Sequence, residues 1–310
     1  MKVSVILPTY RRETLLCQTI SEILKQKYPD FELIVLDQSP THETATETFL
    51  KKHQNSFRYY HLDKPHVVAA CNKGVEYAEG EILLFIDDDI LIPHHELLDR
   101  HARNYHDATL GSVAGKIIDS SNPIDGAYNP KSFSWKWGFL SAAYNHNVRT
   151  ETVSAQGNNM SFRKDVILKT GGFDENYDGN SFRWETDMGY RLKKYGYYTI
   201  FDPTAVIIHQ YNSPGGCENV NLFGRSKRSH HWYYYFFKNS FYFHLKNIGG
   251  IAFVPLVWKL YRGHVLNRPY ILEGLTFEIA RHRVFFTGLR DGLATYLSWK
   301  NKSHGKANRI

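Results

Sequence analysis

Short apolar runs alternate with amphipathic stretches along the first third of the chain. Val3–Leu7, Phe31–Leu36, Phe57–Leu62 and Ile82–Ile86 read as strands. Between them, Glu13–Gln26, Glu43–Lys52 and Val67–Ala78 place apolar residues at helical spacing, with Leu16, Ile20, Ile23 and Leu24 on one stripe. This repeated strand–helix order predicts an α/β fold around a mostly parallel sheet with right-handed crossovers. A helical pattern over Glu96–Tyr105 and a strand over Ser112–Ile118 continue it.

The periodicity fails from about Asp119 to Asn147. Asn122-Pro123, Asp125-Gly126 and Asn129-Pro130 mark turns there, amid Phe133, Trp135, Trp137, Phe139 and Tyr144. A long aromatic loop of this kind serves either as an acceptor-binding lid or as irregular packing around the sheet. Regular structure resumes at Val153 and runs to His209. Beyond it, Trp232–Phe243 holds nine aromatics in twelve residues and opens a helical C-terminal region.

The chemistry concentrates where Ile82–Ile86 ends. Asp87-Asp88-Asp89 follow that apolar run directly, and in an open α/β sheet ligands bind at the carboxyl ends of the strands. Three adjacent carboxylates repel one another unless a cation compensates them. Oxygen donors of this kind suit Mg²⁺ or Mn²⁺, which in turn hold phosphate oxygens. The plain alternative is a solvated acidic turn. Pro8-Thr9-Tyr10-Arg11-Arg12 and Asp37-Gln38-Ser39-Pro40 end two further strands and border the same crevice. No G-x-G-x-x-G and no Walker lysine follows the first strand, which argues against a dinucleotide-dependent dehydrogenase or a P-loop enzyme.

Farther on, Gly157–Asp165 and Gly171-Gly172-Phe173-Asp174-Glu175 precede Trp184-Glu185-Thr186-Asp187, which start a helix. Glu185 and Asp187 point about 200° apart on that helix, so they cannot share one task. One is placed to act as a general base, while the other caps the helix or pairs with Arg191 or Arg163. His209 ends the strand Ala205–Ile208 and matters only if the fold returns it to the aspartates.

Together these residues resemble the family-two glycosyltransferases, inverting nucleotide-sugar enzymes of the GT-A fold. The motifs that carry the resemblance are Pro8-Thr9-Tyr10 with Arg12, Asp37 before Ser39, Ala70-Cys71-Asn72-Lys73-Gly74, the acid triplet as a DXD motif, and Gly-Gly-Phe-Asp-Glu…Glu-Thr-Asp. The family implies a GT-A catalytic domain over 1–220, with a nucleotide-sugar-binding half (1–118) and an acceptor-binding half (119–220), followed by a helical region (221–310). It implies donor binding by Pro8, Thr9, Tyr10, Arg12, Asp37, Asn72, Asp87 and Asp88, with Asp37 meeting the base. Mn²⁺ or Mg²⁺ would lie against Asp87, Asp89 and His209.

Two positions depart from the family pattern. Asp37-Gln38-Ser39-Pro40 stands where Asp-Asp-Gly-Ser is common, which loosens the nucleotide preference; a UDP-sugar is the expected donor. Glu185 stands where the usual catalytic aspartate does, so Glu185 is expected as the base and Asp187 as a supporting catalytic residue. The implied reaction moves a sugar from a nucleoside-diphosphate sugar to a hydroxyl of a glycan or lipid-linked acceptor, in cell-surface polysaccharide synthesis. A sugar nucleotidyltransferase would share the sheet and aspartates but usually shows a glycine-rich, lysine-containing loop after the first strand. A non-catalytic carbohydrate-binding or scaffold protein would need neither Glu185 nor the triplet.

Charge sharpens the picture of the tail. The net charge of +7 divides into +12 from Asn221 onward and −5 before it. A basic, aromatic tail fits an anionic surface, here peripheral contact with a membrane through 221–310. Packing of its aromatics on the catalytic domain or on a second subunit is the structural alternative, and nucleic acid is not expected. Three scattered cysteines, Cys17, Cys71 and Cys217, without metal-ligand spacing fit a reducing compartment. No secretory leader and no apolar stretch of about 20 residues is evident, so a cytoplasmic location is expected.

Overall fold

The computed structural model describes residues 1–120, 123–129, 133–134, 139–140, 144–210, 229–266 and 275–307. Trp135, Trp137 and Cys217 and the turn residues Asn122 and Pro130 lie outside these. The chain divides into two units: Met1–Ser132, Ser141–Glu175 and Trp184–Cys217 form the first, and Phe133–Leu140, Asn176–Arg183 and Glu218–Ile310 the second.

The first unit is built on a nine-stranded, mostly parallel sheet. Strands β1 (Val3–Thr9), β2 (Phe31–Asp37), β3 (Arg58–His61) and β4 (Ile82–Ile86) lie in the order β3-β2-β1-β4, all parallel. Every residue of β1 and β4 is buried, as continuous apolar runs in a sheet covered on both faces require. Helices α1 (Thr14–Leu24), α2 (Thr44–Lys52) and α3 (Val67–Tyr77) supply the crossovers. Leu16, Ile20 and Ile23 form the buried stripe of α1. Gly74 lets α3 lie against β1, since a Cβ there would stand 2.4 Å from Ile6 Cγ2.

Past β4 the sheet continues through β5 (Ile90–Leu91), α4 (Leu97–Ala102), β6 (Leu110–Asp119), β9 (Thr150–Thr152), β10 (Asn159–Arg163), α5 (Lys164–Lys169), α6 (Trp184–Lys194) and β11 (Tyr198–His209). The short pair β7 (Phe133–Ser134) and β8 (Phe139–Leu140) belongs to the second unit. β10 is inserted antiparallel between β4 and β6, and β11 runs parallel to β6. Sequence patterning misses β10 because Asn159 and Ser161 are polar yet buried. A buried His101 satisfies both, with Nε2 2.9 Å from Asn159 Oδ1 and Nδ1 2.8 Å from Ser161 Oγ. Burial pushes that imidazole down to about 4, so it is a neutral structural residue.

In the second unit, α7 (His230–Asn247), α8 (Phe253–His264) and α9 (Leu275–Ala307) share an aromatic core of Phe237, Phe241, Leu256, Leu260 and Phe285. Of the aromatic run, Tyr233, Phe236, Phe237, Phe241, Tyr242 and Phe243 are buried. That run is therefore mainly interior packing. Gly288 and Gly292 bring α9 close to α7, where added Cβ atoms would stand 2.8 Å from Phe237 Cβ and 2.7 Å from the Lys238 carbonyl.

Candidate active site

The carboxyl ends of β1, β2 and β4 lie side by side because the register pairs Thr9 with Asp37 and Ile6 with Phe85. From β4 the chain turns through the acid triplet into β5, which pairs with the end of β11 and sets Ile90 opposite His209. The Gln210 N–H donates to the Asp89 carbonyl at 2.8 Å and locks this return. One pairing thus carries His209 to residues 120 positions earlier in the chain.

His209 Nε2 stands 3.0 Å from Asp89 Oδ1. One donor atom from each of Asp87, Asp89 and His209 falls within 4.8 Å of the others. Two carboxylates and an imidazole fit Mn²⁺ or Mg²⁺ as a donor set. The electrostatics agree. Burial, then the neighbouring Asp89 charge, raises the Asp87 carboxyl above its ordinary value. Burial also raises Asp88, with the Arg12 guanidinium pulling it back. Burial opposes the charged form of His209, but its hydrogen bond to Asp89 and the Asp87 charge outweigh that and raise it. A cation among these groups would relieve the repulsion between the carboxylates.

Arg12 is built into the cluster as its counter-ion. Its Nη2 lies 2.8 Å from Asp89 Oδ2 and its Nε 3.2 Å from Asp88 Oδ1, and all three side chains are buried. Pro8 and Thr9 are buried at the end of β1, with Tyr10 half-buried beyond them. Arg11 follows in the left-handed region at φ 53°, held there by its N–H donating to Ser39 Oγ at 2.8 Å.

Asp37 is fully buried. Its Oδ1 accepts from the Ser39 N–H at 2.8 Å, and its Oδ2 accepts from the Tyr59 hydroxyl at 2.5 Å and lies 2.5 Å from His42 Nε2. Burial works to raise this carboxyl, but Tyr59, His42 and Ser39 together hold it below the usual carboxylate range. His42 and Tyr59 carry no sequence signal, because a loop and a neighbouring strand deliver them. Gln38, at the departure from Asp-Asp-Gly-Ser, uses its Oε1 to accept the His66 N–H at 2.5 Å and so fixes the start of α3. Asn72 on α3 tethers the Gly-Gly-Phe-Asp-Glu loop. Its Nδ2 donates to the Phe173 carbonyl and Glu175 Oε1, and its Oδ1 accepts the Phe173 N–H.

The two acids of α6 have different surroundings. Asp187 is fully buried, with Arg191 Nε at 2.8 Å. Arg191 also donates to the carbonyls of Thr170 and Gly172, so this pair anchors the 170–172 turn. Glu185 is half-buried, accepts the Gly157 N–H at 3.1 Å, and adds its charge to the field that raises Asp87. Glu185 thus lies within electrostatic reach of Asp87.

The family model for glycosyl transferase family 2 matches residues 4–171, more than half of the chain. The chain belongs to this family. The match takes in β1 through α5 and the acid triplet, whereas Glu185 and His209 lie beyond it. Among relatives, a glucosyl-dolichyl phosphate glucuronosyltransferase of Haloferax volcanii is 28% identical over 192 residues, 57% of this chain and 57% of that protein. The chain thus spans little more than half of that relative. Two solved structures share the GT-A fold. The mannosyltransferase PcManGT from Pyrobaculum calidifontis, in complex with GDP-Man and Mn²⁺, superposes with a TM-score of 0.55 at 17% identity, covering 96% of this chain and 87% of that one. A Staphylococcus aureus TarS fragment in complex with UDP-GlcNAc gives 0.59 at 14% identity, covering 97% and 92%.

Proposed function

We propose that this family-two chain is a metal-dependent inverting glycosyltransferase that moves a sugar from a nucleoside-diphosphate sugar to a hydroxyl of a glycan or lipid-linked acceptor. The observation that carries this reading is the convergence of Asp87, Asp89 and His209 within 4.8 Å at the carboxyl end of the sheet, with the Glu185 charge within reach of Asp87. The donor-bound neighbours, with GDP-Man and Mn²⁺ in one and UDP-GlcNAc in the other, support a nucleotide-sugar as donor.

Asp87, Asp89 and His209 would hold Mn²⁺ or Mg²⁺, whose charge offsets the negative charge of a departing nucleoside diphosphate. Asp37, braced by His42 and Tyr59, and the Pro8-Thr9-Tyr10 segment border the nucleoside part of the crevice. Arg12 keeps Asp88 and Asp89 in place, and Asn72 positions the 173–175 loop. Glu185 accepts the proton of the acceptor hydroxyl as that oxygen attacks the anomeric carbon. Asp187, paired with Arg191, supports the helix that carries Glu185. Synthesis of cell-surface polysaccharide is the setting this chemistry suits.

The experiment is release of free nucleoside diphosphate from a panel of UDP- and GDP-sugars, with and without Mn²⁺, for wild type and Asp89→Ala. Release from one donor that needs both Mn²⁺ and Asp89 is expected. Release equal in both proteins would remove the cation assignment. If no donor is turned over or bound, the transferase reading fails.

A further inference from the structure

The outward face of α8 is apolar where a helix of a water-soluble domain is normally polar. Leu256 and Leu260 point into the core, while Val254 and Trp258 on α8 are 72% and 59% exposed and Ile251, in the 3-10 turn that leads into the helix, is 93% exposed. Arg262 extends this face by another turn, and the exposed Lys259 flanks it. The long helix α9 repeats the arrangement: Ile279, Phe286 and Leu293 recur every seven residues, with exposed Arg283 and Arg290 between them. Spacing of four and three residues puts these five side chains on one stripe. The Tyr261 ring joins the two faces, 6.4 Å from the Trp258 ring and 6.0 Å from that of Phe286.

We propose that this joined face of α8 and α9 docks on the surface of an anionic lipid bilayer. Large exposed apolar side chains ringed by cations match the boundary between acyl chains and phosphate headgroups. Isoleucine, valine, leucine and phenylalanine enter the acyl edge, and tryptophan favours the headgroup level. Lysine and arginine reach back to the phosphates along their aliphatic stems. The charge is complementary: among the described side chains of α8 and α9 the one acid is Asp291, which is engaged by Arg290 at 2.7 Å and by the Tyr234 hydroxyl at 2.8 Å. A second copy fits this face less well, because a two-fold contact lays the patch on itself and sets cations against cations. Nucleic acid would leave the aliphatic side chains unused. No described helix is long and apolar enough to cross a membrane, so the contact lies along the surface.

The test is sedimentation of the full chain with vesicles of phosphatidylcholine alone or mixed with phosphatidylglycerol, at low and high salt. Binding to the anionic vesicles, weakened by salt, is expected. Ile251→Ser/Val254→Ser/Trp258→Ser should lower the partition coefficient at least tenfold. Lys259→Glu/Arg262→Glu should lower it by about fivefold or more per cation. Both variants should keep the wild-type melting temperature, because these side chains lie outside the core. Equal binding of wild type to both vesicle types, or unchanged binding by the variants, would overturn the proposal. So would a wild-type dimer that the triple serine variant converts to monomer, which would assign the face to self-association.

Discussion

The imidazole of His42 stands 2.5 Å from the buried carboxylate of Asp37, Nε2 to Oδ2. Its other nitrogen, Nδ1, lies 3.2 Å from Glu13 Oε1, so one ring bridges the loop after β2 to the start of α1. A ring donating from both nitrogens is an imidazolium. Burial opposes that charge, but Asp37 and Glu13 outweigh it and raise His42 above its ordinary 6.5, while both carboxyls are held below their ordinary range.

A defined pH window follows. The His42 contribution is complete below its unfolded value and is lost as pH rises through the higher folded one. The carboxylate contributions are present above the unfolded carboxylate values and are lost as pH falls through the lower folded ones. The bridge is therefore strongest between about pH 5 and 6.5. His42→Gln should cost about 1.5–3 kcal/mol there, the scale of hydrogen bonds to charged groups. Thermal unfolding of both proteins from pH 5 to 9 should show the difference shrinking at the alkaline end. A constant gap would mean that His42 does not titrate in this range.

Arg12 is the fixed positive charge beside Asp88 and Asp89. Arg12→Met should cost about 3–5 kcal/mol, since it strands buried carboxylates without their counter-ion. Saturating Mn²⁺ should raise the melting temperature of this variant more than that of wild type, because the cation offsets the same charges. Calorimetry with and without Mn²⁺ reads both effects, and equal Mn²⁺ increments in the two proteins would count against a cation at the triplet.

Glu185 and Asp187 should separate cleanly on mutation. Glu185→Gln keeps an acceptor for the Gly157 N–H, so stability should stay within about 0.5 kcal/mol of wild type. Its turnover should fall by about 10²–10⁴-fold with donor affinity retained. Asp187→Asn weakens a buried ion pair and should cost about 3 kcal/mol or more. Measuring turnover and denaturant midpoint for both variants tests the division. A stable but inactive Asp187→Asn would transfer the base assignment to Asp187.

Gly189 fixes how closely α6 approaches the segment after β9. A Cβ there would stand 1.7 Å from the Val153 carbonyl oxygen, a backbone atom that cannot rotate away. Gly189→Ala should cost about 3 kcal/mol, the upper end for overpacking. Because α6 carries Glu185, turnover should fall as well. Chemical denaturation of the variant checks the first expectation and donor hydrolysis the second.

The pattern of residues by itself carried the parallel half of the sheet. Ile82–Ile86 is a strand with the bounds read from its apolar run, and Val3, Phe31 and Val67 begin β1, β2 and α3 as expected. These elements are legible because a strand buried on both faces must be continuously apolar and a covering helix must repeat at 3.6 residues. The acid triplet is legible for a related reason, since charge at the end of a buried strand stands out against its neighbours, whereas Glu185 is singled out from Asp187 only by the family resemblance. Tertiary structure decided the rest. β10 was hidden because its buried Asn159 and Ser161 are satisfied by His101, a partner about 60 residues away in sequence. Arg12 as counter-ion to Asp88 and Asp89 and His42 as brace of Asp37 are likewise pairings between distant segments, as is His209 beside Asp89, which the family resemblance alone implies from the sequence. Local preference sets which element forms, but only the folded sheet determines which charges meet, since burial and opposite charge act on neighbours in space.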